Sequence, residues 1–187
     1  MTQRKFDPSS ELISSTAILT QYGSVQLNWF EQTLMKVSLG AFEPADRRPA
    51  LRCCTPPQPR GQCLVAQLLA HFRGEKIDFA PPPSLDRWGT EFQVKVWNAI
   101  GKIPYGSCLS YGDLARMIGF SSNNARAVAS ACGRNPLLIL IPCHRVVGST
   151  GFLTGYSAGI AWKQALLELE GVPIQNGRVK IFQKHLD

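Results

Sequence analysis

Cys143 and His144 stand side by side in the run Ile141-Pro-Cys-His-Arg-Val-Val147. A thiol beside an imidazole is the pairing from which nucleophilic catalysis on sulfur is built. A free cysteine titrates near ~8.5 and is mostly protonated at neutral pH, so the adjacent imidazole is expected to lower that value and activate Cys143. Among three histidines (His71, His144, His185) and six cysteines (Cys53, Cys54, Cys63, Cys108, Cys132, Cys143) this is the only Cys-His step, although such dipeptides also arise by chance. A second signal comes from Glu168 and Glu170, which close a helix expected from about Gly159 to Glu170. Carboxylates there oppose the helix dipole at a cost of ~0.3–1 kcal/mol each. Either they lie on a solvated face, or one is held by a cationic or hydrogen-bonding partner, for which His144 is a candidate.

The elements that must position these groups follow from periodicity and caps. Leu137 to Ile141 is an apolar run ended by Pro142, read as a buried strand that delivers Cys143 to a loop at its end. Ser110-Tyr-Gly-Asp113 has the form of a capping box before a helix of about two turns, with Leu114, Met117 and Ile118 on one face and Gly119 as its stop. Ser121 or Ser122 caps a further helix to about Gly133, which gives helix-turn-helix spacing. Ala125, Ala127, Ala129 and Ala131 leave little bulk around Arg126, which suits either a narrow groove or close packing on a neighbouring helix. Thr90 caps a helix to about Ile100 with Phe92, Val96 and Ile100 on one face, and Ile103 to Gly106 is a turn.

Farther upstream, Val25, Leu27 and Trp29, then Met35, Val37 and Leu39, alternate as half-buried antiparallel strands do. Five prolines between Glu43 and Arg60 predict an exposed loop. Leu64, Leu68, Leu69 and Phe72 predict a helix from about Gln62 to Arg73, stopped by Gly74. Pro81, Pro82 and Pro83 mark a domain junction, placed near residue 85.

The chain has 187 residues, 20 Lys+Arg against 13 Asp+Glu, and 44% hydrophobic residues, a composition that excludes wholesale disorder and repeat arrays. Nothing approaches the ~18 apolar residues of a membrane span. The polar N-terminus lacks the apolar core of a secretory signal, so an intracellular location is expected, with cysteines as reduced thiols. Residues 1–86 carry 9 Lys+Arg and 8 Asp+Glu, whereas residues 87–187 carry 11 and 5. The basic excess of the C-terminal half is compatible with a polyanionic partner or with simple solubility.

The run from Ile141 to Val147 resembles the alkyl-acceptor motif of the O6-alkylguanine-DNA alkyltransferases, the methylated-DNA:protein-cysteine methyltransferases. Thr90-Glu-Phe-Gln-Val-Lys-Val-Trp97, Ile103-Pro-Tyr-Gly106, Ser110-Tyr111, Ala125-Arg-Ala-Val128, Arg134-Asn-Pro136, Thr154-Gly-Tyr-Ser157 and Glu170-Gly171 follow in that family's order. The resemblance is dense over about residues 88–172 and looser over Thr20 to Leu39.

It implies an α+β architecture: residues 1–85 as a ribonuclease-H-like antiparallel sheet with a helix, residues 86–187 as a mostly helical, winged helix-turn-helix-like catalytic domain. It implies Cys143 as nucleophile, His144 as the acceptor of its proton, Glu170 as the group that orients the imidazole, and Asn135 as a structural tie. Tyr111 would donate a proton to the leaving guanine. Arg126 would fill the gap left by an extruded nucleotide, with the helix around it in the minor groove of double-stranded DNA. Gly112, Phe92 and Ser149 would face DNA, Tyr156 and Ser157 would wall the pocket, and Val146 would lend backbone contacts to the base. The implied reaction is a single, irreversible transfer from O6-methylguanine, with O4-alkylthymine left open, by a monomer without cofactor.

Some family members hold zinc in the N-terminal domain, but Cys53, Cys54, Cys63 and His71 repeat no zinc spacing, so no metal is expected. Two rival readings stand beside transfer: a non-catalytic recognition protein for alkylated bases on the same fold, and a cysteine hydrolase using Cys143, His144 and Glu170. The acceptor thiol argues against the first, the helix-turn-helix and basic half against the second.

Overall fold

Alternation builds the N-terminal sheet, in part with threonines in place of aliphatic residues. Thr16, Ile18 and Thr20 are the buried positions of β1 (Ile13–Thr20), and Gly23, Val25, Leu27 and Trp29 those of β2 (Gly23–Phe30). The Thr20 hydroxyl donates to the carbonyl of Gly23 (2.8 Å) and accepts from the Tyr22 amide, closing the β1–β2 turn. β3 (Thr33–Leu39) and β4 (Arg52–Cys53) complete an antiparallel sheet of order β3-β2-β1-β4, with a register shift at Asn28/Trp29. The computed structural model describes residues 13–30, 33–42, 52–53, 59–79 and 85–179.

One face of the sheet is covered by α1 (Pro59–Phe72), which starts at a proline whose missing N–H is no loss in a first turn. Val65, Leu68 and Phe72 of α1 join Ile18, Val25, Leu27 and Val37 in a core that runs on into the C-terminal half through Trp97, Ile100, Trp162 and Leu166. Among the described residues, hydrogen bonds that tie the halves include Trp88 Nε1 to the Met35 carbonyl, Trp162 Nε1 to that of Gly40 (2.8 Å each), the Val37 amide to that of Pro136 (2.9 Å) and the Leu138 amide to that of Val37 (3.3 Å).

The C-terminal half holds α2 (Glu91–Ile100), β5 (Leu109–Ser110), α3 (Tyr111–Met117), α4 (Ala125–Gly133), β6 (Val146–Val147), α5 (Ile160–Leu169), β7 (Ile174–Gln175) and β8 (Arg178–Val179). Thr90 and Gln93 cap α2 reciprocally, and the Ser110 hydroxyl accepts from the Asp113 amide at the start of α3. Ser121 caps a 3-10 turn at Ser122–Asn124 that leads into α4. Trp97 Nε1 donates to the Ala131 carbonyl (2.9 Å), fixing α4 against α2. β5 and β6 pair in parallel and bring the start of α3 beside the residues after Arg145. No described helix is long and apolar enough to cross a membrane.

Several expectations are corrected. Leu137 to Ile141 is not a strand: Leu137 and Leu138 make isolated bridges, Ile139 takes the left-handed conformation (φ 73°), and the Ile141 amide turns back onto the Leu137 carbonyl (2.9 Å). Met117 is 36% exposed rather than on the packed face of α3. Within the expected loop from Glu43 to Arg60, Arg52–Cys53 forms β4 and Pro59 starts α1; the rest of that span and Pro81 to Pro83 lie outside the described residues. β1 and the β7–β8 hairpin had not been expected.

Candidate functional site

Asn135 organises the acceptor loop. Its Oδ1 accepts from the Leu137 amide (2.9 Å), while Nδ2 donates to the Ile141 carbonyl (2.7 Å) and to Cys143 Sγ (3.0 Å). One side-chain amide thus folds the 137–141 turn and fixes the sulfur at its exit. The loop is anchored a second time to β3, where the Val37 carbonyl accepts from the Leu138 amide (3.3 Å). Cys143 opens a 3-10 turn, Cys143–Arg145, that sends His144 and Arg145 inward; all three are buried.

Glu170, the C-cap of α5, is where those two side chains meet. Its Oε1 accepts from His144 Nε2 (2.8 Å) and Arg145 Nη2 (2.9 Å), and its Oε2 from Arg145 Nε (2.9 Å) and the Gly106 amide (3.1 Å). The remaining Arg145 nitrogen donates to the Ile103 carbonyl (2.6 Å). The burial of Glu170 would raise its pKa, but His144 and Arg145 together hold it well below the usual carboxylate range. Burial depresses the pKa of His144, outweighing the pull of Glu170, so the ring is neutral near pH 7. An ionised carboxylate can only accept, so Nε2 carries the proton and Nδ1 is left with a lone pair. Nδ1 is buried and makes no hydrogen bond.

The thiol departs from expectation. Burial pushes Cys143 up to about 11, against the lowering by the Asn135 hydrogen bond and the Lys163 charge. At rest the group is a thiol, because desolvation in a closed site outweighs its polar neighbours.

Cys143 lines a cavity of ≈ 250 Å³ together with Tyr111, Ala129, Cys132, Gly133, Gly155, Tyr156 and Ser157. The Tyr111 hydroxyl donates to the Thr154 and Gly155 carbonyls (3.1 and 3.3 Å), and its burial raises its pKa. The Tyr156 hydroxyl is buried with no hydrogen-bond partner. A groove of ≈ 290 Å³ between α2 and α3, lined by Lys95, Asn98, Lys102 and Met117, holds no thiol, hydroxyl or imidazole.

Sequence reasoning missed two cations. In the sequence Arg145 is only one letter of a motif, yet it makes the bidentate contact that holds Glu170. Lys163, fully buried on α5, donates to the carbonyls of Val146 (2.6 Å), Thr154 (2.8 Å) and Gly155 (3.4 Å), spanning two segments beside the cavity. Burial lowers it to about 8. No sequence signal distinguished it from a surface lysine, since it follows Trp162 in an ordinary helical pattern.

Cys143, His144, Glu170 and Asn135 therefore converge, and Tyr111, Tyr156 and Ser157 share the cavity. Val146 does not line it, and its carbonyl is engaged by Lys163. Arg126 is exposed at the start of α4, Ser149 exposed after β6, Gly112 partly buried in the first turn of α3, and Phe92 packs edge-on against Phe120; none of the four lines the cavity. Glu168 is on the solvated side, bonded to Gln164. Among the described residues no cluster of metal-ligating side chains occurs; the side chains of Cys53 and Cys54 lie outside them.

The sequence model for the DNA-binding domain of 6-O-methylguanine DNA methyltransferase matches residues 91–172. The methylated-DNA–protein-cysteine methyltransferase of Mycobacterium bovis is 53% identical over 106 residues, which span 57% of this chain and 62% of that relative's length. The crystal structure of the Mycobacterium tuberculosis O6-methylguanine methyltransferase superposes with a TM-score of 0.66 at 38% identity, over 85% of this chain and 93% of that one. The same organism's OGT in complex with DNA gives 0.68 at 38% identity, over 84% and 92%.

Proposed function

Because the chain belongs to the O6-methylguanine-DNA methyltransferase family, we propose that it repairs DNA by moving the alkyl group of O6-methylguanine onto Cys143, once and irreversibly. The observation that carries this reading is the thiol itself, held by Asn135 in the wall of a cavity and followed directly by an imidazole whose free nitrogen has no partner.

Sγ of Cys143 attacks the alkyl carbon as the bond from that carbon to guanine O6 breaks. Its proton passes to Nδ1 of His144, directly or through one water, and the developing imidazolium is stabilised by Glu170, itself fixed by Arg145. A thiol at about 11 would be inert in water, so its activation belongs to the moment of attack, when proton and alkyl group exchange places on sulfur. The Tyr111 phenol, still protonated at any physiological pH, leaves its carbonyl partners to donate to the departing base; solvent returns a proton to the phenolate as the His144 imidazolium releases the one taken from the thiol, and guanine exits neutral. The unpartnered Tyr156 hydroxyl is a ready donor for the seated base. A thioether has no bond through which water could recover the alkyl group, so each molecule reacts once.

The target nucleotide must be rotated out of the duplex, at a cost of a few kcal/mol. Exposed Arg126 on the alanine-rich α4 suits the role of filling the gap from the minor groove. Gly112, Phe92 and Ser149 then face DNA, while the Val146 carbonyl is held by Lys163. In this reading residues 1–85 are a ribonuclease-H-like scaffold and residues 86–187 a winged helix-turn-helix-like working part, acting as a monomer.

The test is stoichiometry. Protein mixed with excess O6-methylguanine duplex should remove one lesion per molecule in a burst and then stop, and Cys143→Ala should remove none. Continued removal over many equivalents would overturn the proposal.

A further inference from the structure

A nucleotide seated in the Cys143 cavity remains joined on both sides to its strand, so the strand must cross the cavity rim. Gly155 lines that cavity, and the segment that leads into it from Ser149 carries an exposed aromatic ring. Phe152 is 41% exposed, the most exposed of the large apolar side chains described. It is not loose. The Gly148 amide donates to its carbonyl (2.9 Å), the Leu153 amide donates to the Gly177 carbonyl (3.0 Å), and the Val179 amide to that of Gly151 (3.0 Å).

These last bonds come from the C-terminal hairpin β7–β8, whose two-residue turn uses Asn176 and Gly177 at φ 51° and 69°, the paired positive φ of a tight hairpin. Val172 and Val179 root the hairpin beside Cys108, Val147 and Leu167. It presents Arg178 with its guanidinium 3.9 Å from the centroid of the Phe152 ring. No described carboxylate pairs with Arg178.

The structure thus builds a flat guanidinium-on-ring surface, held rigidly in water, two residues from the Thr154 carbonyl that serves both Tyr111 and Lys163. An apolar ring kept exposed by three backbone hydrogen bonds, with an unneutralised cation lying on it, has the chemistry of a nucleic-acid contact: guanidinium for phosphate, ring for sugar and base faces. We propose that Phe152 and Arg178 form a second DNA contact beside the cavity mouth, gripping the strand that flanks the extruded nucleotide. This rests on the repair reading above, and it assigns a function to the hairpin that follows the family-like region.

The test measures binding of the full chain to a duplex of about 20 base pairs, with and without O6-methylguanine, across a potassium chloride series. Reaction with the free base O6-benzylguanine, which needs the cavity but no strand, is followed in parallel. Arg178→Ala should weaken duplex binding roughly five-fold and flatten the slope of log K against log salt by about one phosphate's worth. Arg178→Lys should keep the slope but bind roughly three-fold more weakly, since it keeps charge without the flat stack, and Phe152→Ala should behave likewise. All three should react with the free base within two-fold of wild type.

Unchanged duplex binding and slope in Arg178→Ala and Phe152→Ala would overturn the proposal. So would loss of the free-base reaction, which would make the hairpin a structural clamp, or a change confined to self-association in sedimentation, which would make a second copy the occupant. If the wild type itself fails to become alkylated while the slope still falls in Arg178→Ala, the repair reading fails and the contact stands.

Discussion

Both histidines among the described residues are buried, and only one is equipped to work. His144, next in sequence after the thiol, gives Nε2 to Glu170 at 2.8 Å and keeps Nδ1 free of any hydrogen bond. His71, on α1, has both ring nitrogens buried without a partner, edge-on to Phe72, Phe79 and Tyr105, and burial lowers it to about 4. Both rings are neutral at pH 7. Burial therefore makes an imidazole neutral but not useful; what separates the two is a carboxylate that fixes the tautomer and can meet the charge of a transferred proton.

The comparison breaks most visibly at Glu170. Glu170→Gln should slow single-turnover alkyl transfer by roughly 10²–10⁴-fold, because the amide no longer dictates which nitrogen of His144 is protonated. It should also cost about 3–5 kcal/mol in denaturant unfolding by leaving Arg145 buried without its counter-charge. An Arg145-paired but catalytically silent Glu170, seen as lost stability with unchanged rate, would reduce His144 to the status of His71. Asn135→Ala comes next. The loss of three hydrogen bonds around the sulfur should cost about 2–4 kcal/mol and slow transfer roughly 10²-fold, whereas Asn135→Asp should fold better and stay slow, since it can accept from Leu137 but cannot donate to Cys143.

A smaller effect sharpens the electrostatic side. Lys163 is charged below about 8 and neutral above it, whereas His144, depressed below 6.5, stays an effective base through pH 6.5. The second-order rate constant for free-base alkylation should hold from pH 6.5 to 7.5 and fall several-fold as Lys163 discharges between 8 and 9, although more hydroxide would by itself favour a thiol reaction. Lys163→Met should be slow throughout and lack that alkaline limb. The smallest effect belongs to the control. His71→Phe should leave transfer within two-fold and stability unchanged or raised by up to about 1 kcal/mol, since it replaces two unpaired buried nitrogens by ring carbon among aromatic neighbours. A slow His71→Phe would show that the two rings share one function.

The same contrast explains what the sequence disclosed. Cys143, His144 and Glu170 were legible because each broke a local rule, a thiol against an imidazole or a carboxylate at the wrong end of a helix. Arg145 and Lys163 broke none, since a buried cation looks like a surface cation until the carbonyls around it are known. Leu137 to Ile141 misled because aliphatic composition does not report a turn, and here a side-chain amide from Asn135 and a left-handed Ile139 made one. β1 escaped notice because Thr16 and Thr20 occupy its buried positions and hide the alternation. The ionisation of Cys143 was misjudged in sign: adjacency along the chain suggested an activating imidazole, while burial, invisible in sequence, dominates.

Everything in the proposed reaction ends on one sulfur atom. After incubation with one equivalent of O6-methylguanine duplex, the peptide spanning Cys143 should carry the mass of a single methyl group in place of a proton. Every other cysteine peptide should stay unchanged, and the lesion should be gone from the DNA. Lesions lost while the Cys143 peptide keeps its original mass would contradict it.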